Sequence, residues 1–597
     1  MISVMNPVKG LTRRWELPTD IRLDERPDRR VGERHGPTLF DRLLTARGLS
    51  DPADVRRFCD PRLTDLHEPT LLPDIDRAAA RILDAVRSAE RIAIYGDYDV
   101  DGITASAILF HTLRAIAPDA PLRPYVPHRM DEGYGLNEDA LRALRSEGCT
   151  LAVSVDCGIT AVAPARVARS IGLDLIITDH HHPPTDAADL PDAYAIVHPT
   201  RPGSSYPFPH LSGAGVAFKL AWRLCTMWCG SERVAKSLQQ TLLEMFALTA
   251  LGTIADVVPL IGENRVITRH GLARLRATGI DGLGALIRAS KLDSDEIDAE
   301  KVGFQLAPRL NACGRLGHAA EALELLTTAH GAEADRIARR LTALNIERKQ
   351  AQELIIEQAI EMAVASGQTA PGHRAIVLAD PRWHPGIVGI ACSRLAETFG
   401  RPTVLLCEAD GVCRGSARSV TGYSLIDGLQ ACAETLISSG GHEAAAGLAL
   451  RAESLDAFRA AFVDHAGRSL TEEDLVPTLR VDCGAWLAEL DPTMIGRIDQ
   501  LSPFGRANPR PRLLLRHATI VDSPRVLKER HLKLRLAQNL DGERREIEVL
   551  WWNAGSHAAL LKAGRTIDAV IDPKINSFRG RSAVEAEVKD IALAPAH

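Results

Sequence analysis

Between residues 76 and 197 the chain alternates two kinds of hydrophobic pattern. AAARILDAVRSAE spaces its apolar residues as one face of a helix, RIAIYG is a short unbroken apolar run, and ITASAILFHTLRAI is helical again. Further strand-like, mainly apolar runs fall at residues 151–155, 173–178 and 193–197, with helical segments between them. Strands that do not alternate polar with apolar residues are buried on both faces. The pattern therefore predicts a parallel sheet covered by helices on each side.

The texture elsewhere divides the chain further. Residues 1–75 are rich in charge and proline, with a short helical stretch at PTLFDRLLTARGL, and read as an N-terminal arm or cap. The first α/β domain is expected over 76–325, with a helical region at 213–289. Residues 332–366 contain no proline or glycine and predict one helix of about 50 Å, long enough to join two domains within a connector at 326–366. After GQTAPGH a smaller α/β pattern occupies 367–470: RAIVLA, a helix at 387–399, PTVLLC, CRGSARS and a helix at 425–438. From 471 to 597, proline-punctuated strands such as RLLLRHATIVDS, HLKLRLAQNL and REIEVLWWN suit a small β-barrel, an OB-fold being one candidate.

Composition changes this picture little. The chain has 597 residues, 45% hydrophobic and 25% charged, as expected of several globular domains. Its formal net charge of −6 gives no global sign of nucleic-acid binding, but residues 510–581 hold 15 lysines and arginines against 8 acids. A positive barrel is the footprint of a protein that tracks a single-strand backbone, with Trp551, Trp552 and Phe578 as stacking candidates. Eleven cysteines without a CxxC pair suit a reducing compartment. The start MISVMNPVKGLTRRWELP has no apolar core of signal-peptide type, and no apolar run is long enough for a bilayer, so a cytoplasmic protein is expected.

The chemistry concentrates at strand ends. YGDYDVDG sets Asp97, Asp99 and Asp101 at every second position behind a strand, and such like charges call for a cation. The spacing mimics a calcium loop, but Ile108 falls where the twelfth-position glutamate belongs and no helix precedes it. Asp156 follows the next strand and DHHH, Asp179 to His182, the one after. Ligands of α/β sheets bind at carboxyl ends of strands, so these clusters converge. Asp256 in ALGTIADVVPL, an acid set in an apolar helix, is a fourth contributor. Carboxylates with imidazole and no cysteine suit Mn2+ or Mg2+ better than structural zinc. The number of ligands fits two cations sharing a carboxylate and activating water against a phosphoryl group.

DYDVDG, VDCG, DHHHP and ADVVPL, in that order, resemble the four motifs of the DHH phosphoesterases. APRLNACGRLG, WHPGIVGIACSRL, GSARS and SGGHEAAAG resemble the DHHA1 module in the form found in the RecJ single-strand exonucleases, and LSPFGRANPRP resembles the segment entering their OB domain. The resemblance implies a parallel-sheet DHH domain and a smaller α/β DHHA1 domain joined by a long helix, with a C-terminal OB barrel. It implies that Asp99 and Asp101 each hold a metal, that Asp156 bridges the two, and that His180 and Asp256 complete the coordination. Asp97 matches the family acid at the start of the motif, as ligand or as a group orienting water. Asp179 would steer an imidazole and His181 would contact the scissile phosphate, while His182 receives no role.

For the strand, the resemblance implies phosphate contacts from Ser416 and Arg418, a 5′-phosphate partner in Arg129, and backbone contacts from Arg309 and Arg315. Gly440 and Gly441 would admit the substrate backbone beside His442, and Trp383 in the matched WHPG turn is a candidate for stacking or for the core. Cys157, Cys313 and Pro385 depart from the family pattern without removing a ligand. The implied activity is two-metal-ion hydrolysis of single-stranded DNA from 5′ to 3′, releasing mononucleotides in repair and recombination. The strand would thread between the two α/β modules, in a monomer working with a helicase and single-strand-binding protein and with no membrane. The rival readings are a DHH phosphodiesterase of short oligonucleotides or cyclic dinucleotides, and a non-catalytic DNA-binding scaffold.

Overall fold

In the computed structural model the apolar runs become strands at the expected places. It describes residues 8–18, 37–129, 131–133, 135–578 and 581–593. The chain separates into two units: residues 61–349 with 503–509, and residues 1–60, 350–502 and 510–597. Two short strands, β1 (Val8–Lys9) and β2 (Arg14–Glu16), open the described chain and belong to the second of these.

The first unit is built on β3 (Arg91–Gly96), β4 (Leu122–Tyr125), β5 (Cys149–Val155), β6 (Asp174–Thr178) and β7 (Ala195–Val197), in the order β4-β3-β5-β6-β7. Every pairing is parallel. Each face of the sheet has its own core. Ile92, Ile94, Val153 and Ile176 pack on one side, and Ala93, Tyr95, Ala152 and Ile177 on the other. That explains why the strands read as mainly apolar runs. The pattern passed over β4, an edge strand carrying Pro124 and only half-buried, so it lacks the two-sided core that marks its neighbours. The register aligns Gly96 with Val155 and Val155 with Thr178, bringing three strand ends to one level. The expected helical region resolves into helices at Gly213–Cys229, Lys236–Ala255, Gly262–Leu275 and Asp281–Ala289.

The predicted long helix is Gly331–Ala365, 35 residues, and the chain passes from one unit to the other between Lys349 and Gln350. In the second unit β8 (Ile376–Ala379), β9 (Thr403–Ala409), β10 (Val412–Arg418), β11 (Leu436–His442) and β12 (Ala445–Arg451) form a sheet ordered β11-β12-β10-β9-β8. A helix at Pro385–Phe399 follows β8 as expected. The helix expected over 425–438 stops at Gln430, because residues from Leu436 onward pair with β12 as an edge strand. Two successive glycines favour that extended edge over a helix.

The C-terminal barrel comprises β15 (Leu513–Ile520), β17 (His531–Leu540), β18 (Glu543–Trp551), β19 (Thr566–Phe578) and β20 (Arg581–Leu593), ordered β15-β19-β20-β18-β17. Pairing of Thr519 with Ala537 and Ile520 with Leu536 joins β15 back to β17 and closes the ring. Short strands β14 (Cys483–Ala485) and β16 (Arg525–Leu527) lie at its margins, and β13 (Thr478–Arg480) belongs to a separate three-stranded sheet with β1 and β2. The N-terminal β2 runs parallel to β13, so part of the sequence's arm completes a small sheet there.

Candidate metal centre and phosphate-binding elements

The aligned ends of β3, β5 and β6 place Asp97, Asp156 and Asp179 in one row, all buried. Asp99 is the N-cap of the Val100–Ile116 helix, its carboxylate accepting from the amides of Asp101 (2.8 Å) and Gly102 (3.1 Å). Both cap bonds go to one carboxylate oxygen, so the other is left for a further partner such as a cation. Asp101 is held by the start of another helix: Gly213 and Ala214 amides donate to its two oxygens at 2.6 and 3.0 Å. A side chain at Gly213 would lie 2.4 Å from the Asp156 carboxylate, so this helix can approach only because the residue is glycine.

Asp156 sits in the left-handed region at φ 64°, unusual for a non-glycine residue and characteristic of functional sites. Asp256 is not inside its helix, as the apolar pattern suggested. It is the C-cap of Lys236–Ala255, where the chain turns and the carboxylate can face the strand ends.

His180 gathers the set. Its Nε2 lies 3.1 Å from Asp156, 3.6 Å from Asp256 and 3.8 Å from Asp101. Burial and then the neighbouring His181 lower its pKa to about 4, so the ring is neutral. Among the described residues, Nε2 of His180, Oδ1 of Asp97 and Oδ1 of Asp156 are buried without a hydrogen-bond partner. A lone pair facing carboxylates in a buried pocket is unfavourable unless a cation lies between them. The carboxylates report the same deficit of positive charge. Burial and then Asp99 push Asp101 up to about 7, and burial and then Asp101 push Asp256 up to about 8. Asp97 and Asp156 are raised well above the carboxylate range, first by burial and next by a neighbouring aspartate. Three overlapping groups have metal-ligand spacing: Asp97, Asp99 and Asp156; Asp101, His180 and Asp256; and Asp156, His180 and His181. Asp156 joins the first to the third and His180 the second to the third, so the donors fit two adjacent divalent cations.

His181 has the opposite character. Burial disfavours its charge, but the Asp179 carboxylate, 2.8 Å from Nδ1, outweighs burial and raises the ring to about 9. Asp179 is in turn held below the carboxylate range. Burial opposes this, and the hydrogen bond from His181 with the amide of Ile159 overcomes it. Adjacent histidines are thus shifted in opposite directions, His180 toward the neutral ring and His181 toward the imidazolium.

Sequence reasoning missed His198, the residue directly after β7. Its Nε2 donates to the His181 carbonyl at 2.7 Å while Nδ1 accepts from Thr200, pinning the loop that carries both histidines. The signal was available, since a fourth strand end also bears an imidazole. Arg506 was missed for a different reason. It arrives from far along the chain, donates to the Val257 carbonyl at 3.3 Å and lends positive charge to Asp256, which only tertiary structure brings about.

In the same unit Arg129 stacks over Tyr98, 5.0 Å from the ring centroid, beside the acidic loop. Its loop is anchored by Glu132, which accepts from the Tyr125 hydroxyl, the His128 amide and Asn137. Arg309 and Arg315 both lie on the Ala307–Leu316 helix, Arg309 bonded to Thr342 and the Gln305 carbonyl.

In the other unit, Ser416, Gly447 and Gly440 form one cross-strand row, and Arg418, Ala445 and His442 the next. Opposed residues share a face, so Ser416, Arg418 and His442 point to the same side. Gly441 lies between these rows in β11. Arg418 donates from Nε to Ser393 and from Nη1 to the Ala417 carbonyl. Trp383 is corrected as a stacking candidate: it is 2% exposed and its indole donates to Gln358, leaving no face for a base. Trp551 is likewise buried, stacked on His557, whereas Trp552 is 49% exposed. His182 is exposed in the same loop as His180 and His181, and the Phe578 side chain lies outside the described residues. No described helix is long and apolar enough to cross a membrane.

Three family models match the chain: the DHH family N-terminal domain at residues 91–253, the DHHA1 domain at 372–466 and the RecJ OB domain at 481–590. The chain is 38% identical to the single-stranded-DNA-specific exonuclease RecJ of Bacillus subtilis, over 97% of this chain and 71% of that one. It is similar to the crystal structure of Thermus thermophilus RecJ with Mn2+ (TM-score 0.76, 31% identity, 93% of this chain and 76% of that one). The Mg2+ complex of that protein matches with a TM-score of 0.70, 30% identity, and 93% and 75% coverage.

Proposed function

Because the chain belongs to the RecJ family of exonucleases, we propose that it hydrolyses single-stranded DNA from the 5′ end and releases mononucleotides. One observation carries the reading: a buried cluster of carboxylates around a neutral imidazole, with three polar atoms lacking partners. Asp97, Asp99, Asp101, Asp156, His180 and Asp256 are the residues that would hold two divalent cations, Mn2+ or Mg2+. Such a pair supplies an activated water and charge stabilisation on the phosphoryl group.

The remaining work falls to the chain itself. Gly213, Ala214 and the cap of Asp99 fix the carboxylates before substrate arrives. Asp179 keeps His181 protonated at neutral pH, so its imidazolium can donate to a phosphate oxygen as charge develops. Arg309 and Arg315 present cations for backbone phosphates and Arg129 one for the 5′ phosphate, and Ser416, Arg418 and His442 form an anion-binding row that also suits a terminal phosphate, bordered by Gly440 and Gly441. The proposal includes a monomer acting in the cytoplasm in DNA repair and recombination, on strands opened by a helicase and coated by single-strand-binding protein.

A time course on one single strand labelled at either end, in Mn2+, tests the activity and its polarity. The 5′ label is expected in mononucleotide from the first time point, while the 3′ label passes through progressively shorter strands. Release of the 3′ label first would overturn the polarity, and an uncut strand would overturn the nuclease reading. Faster turnover of a dinucleotide than of a long strand would favour a short-oligonucleotide phosphodiesterase.

A further inference from the structure

The N-terminal strap is tied down with more care than an arm requires. Asp590, fully buried on β20, accepts four hydrogen bonds from it: Thr12 amide (3.1 Å) and hydroxyl (2.9 Å), Arg13 amide (3.0 Å) and the Trp15 indole (2.8 Å). The Leu11 amide donates to the Ile591 carbonyl, and Trp15 packs among Leu479, Val481, Leu514 and Val570. A buried carboxylate satisfied four times fixes the strap's backbone closely. What it positions are the two side chains within that clamp, Arg13 exposed and Arg14 half-buried.

Both arginines line a cleft of about 990 Å3 in this unit. Arg394 and Arg418 contribute from the smaller α/β domain, and Lys589 and Trp552 from the barrel. Glu397 and Asp474 are the acids among the lining residues, against these five cations, of which Lys589 is also paired with Glu587 at 2.9 Å. Arg13 has no ion pair among the described residues. Arg394 meets Glu397 only at 3.5 Å. Trp552 keeps one edge against His531, with half of its surface in solvent. Guanidinium forks spaced around an exposed indole match phosphates alternating with unstacked bases. A duplex keeps its bases paired and offers no free face to Trp552. An acidic peptide would satisfy the charges but would not need the indole. Arg418 belongs both to this cleft and to the row with Ser416 and His442, so a strand ending at that row has a continuous path into the cleft.

We propose that the N-terminal strap, through Arg13 and Arg14, forms one wall of a grip for single-stranded nucleic acid, completed by Arg394, Lys589 and Trp552. This rests on the reading of the chain as a single-strand nuclease. The test is equilibrium binding of fluorescein-labelled dT30 across a sodium chloride series in EDTA, which prevents cleavage. If two phosphate contacts are lost, Arg13→Ala/Arg14→Ala flattens the slope of log affinity against log salt by about 1.4, with Arg13→Lys/Arg14→Lys keeping the wild-type slope. Trp552→Ala weakens binding about tenfold at an unchanged slope. Wild-type slope and affinity in the double alanine variant would overturn the grip. So would a poly-glutamate peptide that binds in an Arg13- and Arg14-dependent way while dT30 binding is unaffected. The nuclease reading fails separately: a wild-type protein that binds dT30 with the expected slope but never cuts it in Mn2+ keeps the grip and loses the enzyme.

Discussion

The pocket at the ends of β3, β5 and β6 is buried and lacks partners for its polar atoms, whereas Ser416, Arg418 and His442 lie on a sheet whose edge strand β11 is exposed along nearly its whole length. In the pocket, like charges are held together by helix starts and backbone amides, at a cost that only a cation relieves. On the open sheet, Gly440 and Gly447 leave a face clear, and Arg418 is held by Ser393 and the Ala417 carbonyl. A change in the pocket should therefore alter chemistry and stability in opposite directions. Truncating a polar side chain on the open face of the sheet should alter recognition and leave stability nearly untouched.

Asp156→Asn is the severest test. It should lower kcat/KM on single strands by about 10³-fold or more, a loss of roughly 4 kcal/mol in transition-state stabilisation. It should also raise the melting temperature of the metal-free protein by about 2 °C or more, because the cost of burying an acid among other acids, whether it stays ionised or takes up a proton, is gone. Loss of activity together with lower metal-free stability would break the contrast.

The paired histidines come next. His181→Ala should cost about 10²–10³-fold in kcat while Mn2+ affinity by calorimetry stays close to wild type, whereas His180→Ala should weaken Mn2+ binding itself. If the His181 imidazolium acts as proposed, Asp179→Asn should move the alkaline limb of the rate profile from near pH 9 to lower pH by about two units, since its stabilising carboxylate is removed.

On the sheet, Arg418→Ala should reduce the preference for 5′-phosphorylated over 5′-hydroxyl strands roughly tenfold, read from the ratio of kcat/KM values. Metal-free melting should be indifferent to that change and sensitive to pH. Asp101 and Asp256 have folded pKa values raised to about 7 and about 8, so the folded state binds more protons than the unfolded one between about pH 4 and 8. Stability then falls as pH rises through that window, and saturating Mn2+ should remove most of the slope.

The smallest effect separates two adjacent glycines. Gly441 has φ 145°, and a Cβ there would meet the Ala445 carbonyl at 2.4 Å, so Gly441→Ala should cost about 1–3 kcal/mol by thermal melting. Gly440 faces open space, and its alanine variant should stay within about 0.5 kcal/mol.

Much of the metal centre was legible because charge in an apolar context is a strong signal. Asp97, Asp99, Asp101, Asp156 and the DHHH run each follow a strand buried on both faces, and adjacent parallel strands must bring their ends together. The unassigned end of β7, with His198, shows the same logic left one strand short. Trp383 misled because a tryptophan in a matched turn looks the same in sequence whether it faces solvent or core. The 425–438 segment misled because its first turn is helical and its later residues take their structure from β12.

The one-dimensional pattern determined the order of the modules, the parallel sheet, the long helix and which acids share a rim, since periodicity and strand-end chemistry are local properties. Tertiary structure alone decided that the pKa values of the two neighbouring histidines shift in opposite directions, because burial acts on His180 and the 2.8 Å contact with Asp179 on His181. It also decided that Arg506 reaches Asp256, that Gly213 must be glycine, and that the N-terminal strap delivers Arg13 and Arg14 to a cleft closed by residues more than 350 positions away. Such contacts depend on where distant segments cross, and no periodicity along the chain encodes a crossing.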